Sequence, residues 1–231
     1  MRIGFLLYDQ LTQLDLTGPA QLLSRMPGAH VDYVAASLDP VMSDCRLALM
    51  PTVTMADAGQ FDLLCVPGGY GCSAVMNDDA ALDWLRAQAP GLTWLTSVCT
   101  GSLILAAAGL LNGRKAGCHW AWGHYLPLFG AEFVAERTVF DGNIITAGGV
   151  TSGIDFAFRV VEHLHGPDMA ATLRLALEYD PECRPGGTPS TARPDIVANV
   201  QAITAQRLGH RDAEMRAAAE KLGARLMGEQ S

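Results

Sequence analysis

The sequence predicts an α/β sandwich around a mostly parallel sheet, and two observations carry that prediction. Short β-rich apolar runs alternate with stretches of helical spacing through residues 1–180, the pattern of strands joined by crossover helices. The runs are also continuously apolar, as in "RIGFLLY" and "LTWLTSV", which is what strands covered on both faces require.

The first strand is "RIGFLLY" from Arg2, followed by "VDYVAA" from Val31, "FDLLCVP" from Phe61, "LTWLTSV" from Leu92 and "NIITAGG" from Asn143, each bounded by Gly, Pro, Asp or polar turns. Between them, residues 19–26, 79–89, 100–111, 154–165 and 168–179 read as helices. Pro19 suits the first turn of the earliest one. These elements form one sandwich domain, 1–180, with no internal repeat. The Pro- and Gly-rich run "DPECRPGGTPSTARPD" makes 181–195 an irregular connector. In 196–231, Ile196, Val197, Val200 and Ile203 share one helical stripe and Gly209 is a candidate break. One or two terminal helices are expected, packed on the body or on another subunit.

Composition narrows the function. The 231 residues are 49% apolar, with a mean hydropathy of +0.17, ample for a substantial core. A net charge of −8 repels phosphate backbones and anionic lipid, so neither nucleic acid nor membrane is an expected partner. Cysteines at 45, 65, 72, 99, 118 and 183 form no Cys-x-x-Cys pair and no dense framework, which suits a reducing cytoplasm. "MRIGFLLYDQ" is too short for a signal-peptide core, and "LILAAAGLL" is too short to span a bilayer.

Chemistry concentrates at Cys99. It falls where "LTWLTSV" gives way to the helix "SLILAAAGLL", the carboxyl end of a parallel strand, where α/β folds place their sites. A sharp strand-to-helix turn lifts a nucleophile clear of its backbone and needs small neighbours. Here they are Ser97, Thr100, Gly101 and Ser102. The helix terminus is worth about 0.3 to 2 kcal/mol to an anion, enough to lower a thiol by about one pKa unit from ~8.5. A further donor or proton acceptor is then needed. Cys65, mid-strand, reads as an inert buried thiol.

Two segments could supply that partner. "VPGGYG", residues 66–71, places Gly68 and Gly69 where backbone N–H groups can approach a substrate as an oxyanion-type nest, although Pro-Gly-Gly is also an ordinary turn. "QLDLTGP", residues 13–19, puts Asp15 ahead of the first helix, where Asp15 or Thr17 could equally serve as its cap.

With "LDLTGP", "PGG", "SVCTGSLILAAAGLLNGRKA", "HW" at His119-Trp120 and "GGVTSGIDFA" from Gly148 in view, residues 2–179 resemble the PfpI-like branch of the class I glutamine amidotransferase-like superfamily, and within it the isocyanide-hydrating members. The resemblance implies a flavodoxin-like three-layer sandwich, a homodimer and no cofactor. It implies a nucleophile carried onto Cys99, a general acid/base onto Asp15, backbone donors onto Gly69 and Thr100, and a site histidine onto His119. Trp120 and Val150 would line the pocket, with Tyr70 beside Gly69. The implied reaction adds water to an isocyanide through a thioimidate on Cys99.

Some residues depart from the pattern. Protease-like and deglycase-like relatives commonly carry His after the nucleophile, or Glu as the acid, where this chain has Thr100 and Asp15. Hydratase-like sequences often carry Thr-Thr before His-Trp and a small residue after Pro-Gly-Gly, where Gly117-Cys118 and Tyr70 stand here, which bears on substrate size. Cys72 and Cys118 could also lie near the pocket. Two other functions compete: a sensor domain related to AraC-type regulators, or an oxidative-stress protein in which Cys99 is oxidised. Against the first, residues 196–231 carry five Lys or Arg and four acids, with no basic excess and too little length for paired helix-turn-helix units. No metal site is expected: His163 and His165, two apart on one helix, point different ways, and His119 and His124 add no clear ligand set.

Overall fold

The computed structural model describes residues 1–182, 185–209 and 211–228; Cys183 therefore lies outside the described residues. The strands are β1 (Arg2–Leu6), β2 (His30–Ala35), β3 (Val41–Met42), β4 (Ala48–Leu49), β5 (Val53–Thr54), β6 (Leu63–Val66), β7 (Trp94–Val98), β8 (Lys115–Ala116), β9 (Glu132–Phe133), β10 (Thr138–Asp141) and β11 (Ile144–Ala147). Seven form the central sheet in the order β10-β11-β7-β6-β1-β2-β5. Every pairing is parallel except that of the edge strand β10 with β11. Ile3, Phe5, Leu63, Leu64 and Val66 are wholly buried, as strands sandwiched between helices must be. The fold is thus the flavodoxin-like sandwich expected. Its edge strands β5 and β10 went unanticipated because short edges carry little apolar signal.

The helices are α1 (Gln13–Leu23), α2 (Cys72–Val75), α3 (Asp79–Gln88), α4 (Gly101–Ala107), α5 (Ser152–His165), α6 (Pro167–Ala176), α7 (Pro194–Leu208) and α8 (Arg211–Gly228). α1, α5 and α6 pack together as one layer, while α3 and α8 flank α4 in the other. α3 starts on a full cap, with the Asp78 side chain accepting from the N–H groups of Ala80 and Ala81. α8 buries Met215, Ala218 and Leu222 on the body. Across residues 194–207 α7 has no fully buried residue: Ile196 and Ile203 remain 45% and 42% exposed.

α1 corrects the sequence reading. It starts at Gln13, so Asp15 lies in its first turn and Pro19 in its interior. Neither Asp15 nor Thr17 caps it. The proline is held by packing: a Cβ on Gly153 would stand 3.2 Å from Pro19 Cγ, and one on Gly18 would stand 3.1 Å from Ile154 Cγ1. The two glycines let α1 and α5 approach closely, and that contact outweighs the poor helix propensity of Gly-Pro.

The strand order changes direction at β1 and β6. From β1 the chain runs outward to β2, whereas β7 and β11 lie beyond β6 on the other side. Loops leaving β1 and β6 therefore diverge and open a crevice at the carboxyl ends of the strands.

Candidate active site

Cys99 caps β7 with φ +58°, a left-handed conformation rare for a residue with a Cβ. Its N–H is held by Ala147 O at 3.2 Å and Gly148 O at 2.9 Å, so the end of β11 fixes the turn. Gly101 is required one step on, because a Cβ there would sit 2.0 Å from Val66 O. The strained turn directs the sulfur out of the backbone, and Cys99 is 5% exposed.

The Pro-Gly-Gly loop after β6 packs on this turn. A Cβ on Gly68 would lie 2.5 Å from Thr100 N and 2.8 Å from Cys99 Cβ, so only glycine fits. Gly68 N–H donates to Asp15 Oδ2 at 3.0 Å. Gly69 N–H donates to Thr100 Oγ1 at 2.9 Å, and that hydroxyl lies 3.3 Å from Gly69 O. The expected nest of free Gly68 and Gly69 donors is therefore not formed: one N–H holds the carboxyl and the other the Thr100 hydroxyl. The backbone N–H groups whose field favours charge on the Cys99 sulfur are those of Thr100 and Val150.

Asp15 has no solvent exposure. Its Oδ1 has no hydrogen-bond partner, and the Cys99 thiol is the neighbouring side chain that acts on its ionisation. Burial pushes Asp15 up to about 7, with the Asp44 charge adding to the rise, while the Gly68 N–H and the Cys99 thiol oppose it. Burial first, then the Asp15 charge and Cys118, raise the Cys99 thiol well above its ordinary value, against the Thr100 and Val150 donors. This overturns the expectation that a helix terminus brings the thiol near neutrality, since desolvation outweighs it. At neutral pH the sulfur keeps its proton.

Cys99 opens onto a cavity of about 320 Å³. Thr100, Gly69, Tyr70, His119 and Val150 face it, all named from the sequence, and Asp15 lies under Cys99 outside the lining. Trp120 is a correction. It stacks on His119, ring centres 5.8 Å apart, and it is Trp122 that forms the wall. The outer wall comes from Thr12, Asp44 and the α7 residues Val200, Ile203, Thr204 and Arg207, which sequence reasoning missed. The apolar stripe on α7 signalled packing without saying onto what. The Thr12 hydroxyl donates to Asp44 Oδ2 at 2.6 Å and anchors that carboxylate at the rim.

His119 accepts the Ala121 N–H on Nδ1 at 3.2 Å. Burial pulls its pKa down, so the ring is neutral and carries its proton on Nε2. Of the neighbouring thiols, burial pushes Cys118 up to about 12 and Cys72 up to about 11, which makes both poor nucleophiles. Among the described residues no group of three or more His, Cys, Asp or Glu could hold a metal ion, and no helix is long and apolar enough to cross a membrane.

The DJ-1/PfpI family model matches residues 1–163. An isonitrile hydratase of Pseudomonas putida is 45% identical over 226 residues, which cover 97% of this chain and 99% of that protein. A THiJ/PfpI family protein from Pseudomonas syringae superimposes with a TM-score of 0.86 at 37% identity, covering 94% of this chain and 90% of that one. The transcriptional regulator GbdR of Pseudomonas aeruginosa is 28% identical over 186 residues, 77% of this chain but 50% of the regulator.

Proposed function

The chain belongs to the DJ-1/PfpI family, and from that premise we propose that it hydrates an isocyanide to the N-substituted formamide. The observation that carries this reading is a fully buried Asp15 carboxyl, pushed up to about 7, beside a Cys99 thiol that lines a small cavity. The similarity to an isonitrile hydratase over nearly the whole chain supports the same chemistry.

An isocyanide, R–N≡C, must receive both a nucleophile and a proton on its terminal carbon. Asp15 takes the thiol hydrogen as Cys99 Sγ forms the S–C bond, then delivers that proton to the same carbon, leaving the thioimidate Cys–S–CH=N–R. The Thr100 and Val150 N–H groups favour the sulfur while it carries charge. Water adds to the thioimidate carbon with a proton passing to nitrogen. The tetrahedral adduct then breaks its C–S bond, forms the carbonyl of R–NH–CHO and returns a proton to sulfur through Asp15. No cofactor enters the balance. In this reading His119, neutral and on the wall of the same cavity, donates from Nε2 to the substrate nitrogen side or to the attacking water.

Five free cysteines among the described residues support a reducing, cytoplasmic setting for the reaction. An apolar groove between α1 and α5, lined by Leu14, Ile154, Phe158 and Leu177, supports the homodimer as part of this reading. The test of the function is incubation with a panel of isocyanides and direct detection of formamide. Turnover by the native chain, lost in Cys99→Ser and in Asp15→Asn, is expected; no formamide from any member of the panel would overturn the reading.

A further inference from the structure

A second cavity of about 480 Å³ opens beside the Cys99 chamber, between the ends of β1 and β2 and the start of α8, with Tyr8, Ser37, Val75 and Arg211 on its walls. Among the described residues, Tyr70 alone lines both spaces. Arg207 donates to its hydroxyl. The guanidinium carbons of Arg207 and Arg211 lie 5.5 and 5.4 Å from the centre of its ring. Two cations, one from α7 and one from α8, thus clamp a single aromatic ring through its face and its hydroxyl. The backbone holds it from the other side: Gly69 takes φ +144° and bridges to Leu11, while Gly71 N–H donates to Gln10 O at 3.2 Å.

We propose that Tyr70 is the specificity-determining partition of this site. It divides one cleft along the carboxyl ends of the strands into two chambers and confines the substituent of an isocyanide to the chamber holding Cys99. The proposal rests on the hydration reading for the identity of the substrate, though not for the partition itself. A chamber of about 320 Å³ lies at the small end of ligand pockets. Its aromatic and aliphatic walls, Tyr70, Trp122, Val150 and Ile203, suit a compact uncharged alkyl or single-ring aryl group. Removing the Tyr70 ring joins the chambers and admits substituents too long for the first alone. One side chain then decides substrate length with the reacting groups untouched.

The experiment compares the full-length native chain with Tyr70→Ala and Tyr70→Phe by two readouts. The first is kcat/KM for a compact and for a two-ring aryl isocyanide. The second is the rate of Cys99 alkylation by iodoacetamide and by a pyrene-bearing maleimide, read on the Cys99 peptide by mass spectrometry. Tyr70→Ala is expected to raise the bulky-to-compact ratio at least tenfold in both readouts, and Tyr70→Phe, which keeps the ring, to stay within twofold of native. Ratios within twofold for Tyr70→Ala in both readouts overturn the partition. A shifted alkylation ratio with no formamide from any variant upholds the partition while the hydration reading fails. Should Tyr70→Ala not fold, Tyr70→Leu carries the same expectations.

Discussion

The Asp15 carboxyl and the Cys99 thiol, residues 84 positions apart in the chain, are brought within electrostatic reach of each other inside the protein, and desolvation raises both pKa values. One proton between them at neutral pH is what the proposed reaction uses, and the pair titrates as a unit.

The first consequence is a pH profile. Below about 7 the Asp15 carboxyl is protonated and cannot take the thiol hydrogen. The expected result is kcat/KM rising about tenfold per pH unit up to an apparent pKa near 7, then levelling. A steady-state pH series checks it. A profile flat from pH 5 to 8 contradicts the proton-accepting role.

The same shift governs stability. Asp15 moves from an ordinary 3.8 to about 7 on folding, so between those values the folded chain holds a proton that the unfolded chain has lost. Stability is then full below 3.8, falls as pH rises and levels above about 7. The loss is of order 4 kcal/mol for a shift of about three units. Asp15→Asn removes this loss. Urea denaturation at pH 8 should find it more stable than the native chain by up to a few kcal/mol while it makes no formamide.

Two glycines should respond to alanine in opposite directions. Gly101→Ala drives a Cβ to 2.0 Å from Val66 O and should cost about 1 to 3 kcal/mol or more, with loss of activity as the turn shifts. Gly223 in α8 is exposed and a Cβ there meets nothing within 4 Å. Gly223→Ala should add about 0.5 to 1 kcal/mol with activity intact. Thermal melts with activity assays on both variants check the pair.

His119 offers a further handle. Its neutral, Nε2-protonated ring is a donor, so His119→Gln, which keeps an N–H, should retain more kcat/KM than His119→Phe, by about tenfold. Equal activities would remove hydrogen bonding from its role and leave only wall shape.

Much of this site was legible because its signals are local. The Cys99-Thr100-Gly101 junction marks a turn that tolerates only small neighbours, and the contact of Gly68 with Thr100 N explains why Pro-Gly-Gly stands opposite it. The start of α1 was misplaced because Pro19 ordinarily opens a helix. Here the close contact of Pro19 with Gly153 holds it inside one, a tertiary effect that no window of sequence contains. Trp122 was missed for Trp120 because the two differ by two positions in a short irregular stretch, where no periodicity says which ring turns inward. The α7 wall was invisible for a related reason: Val200 and Ile203 advertise an apolar stripe, but the surface they cover is set by a connector that carries no directional signal.

The most direct measurement is the mass of the Cys99 peptide after rapid acid quench of the native chain turning over an isocyanide. The expected result is a gain equal to the whole isocyanide, R–NC with nothing lost, on Cys99 alone, and its absence together with absence of formamide in Cys99→Ser. Formamide produced at the native rate by Cys99→Ser, or an adduct confined to other cysteines, would contradict the role assigned to Cys99 and Asp15.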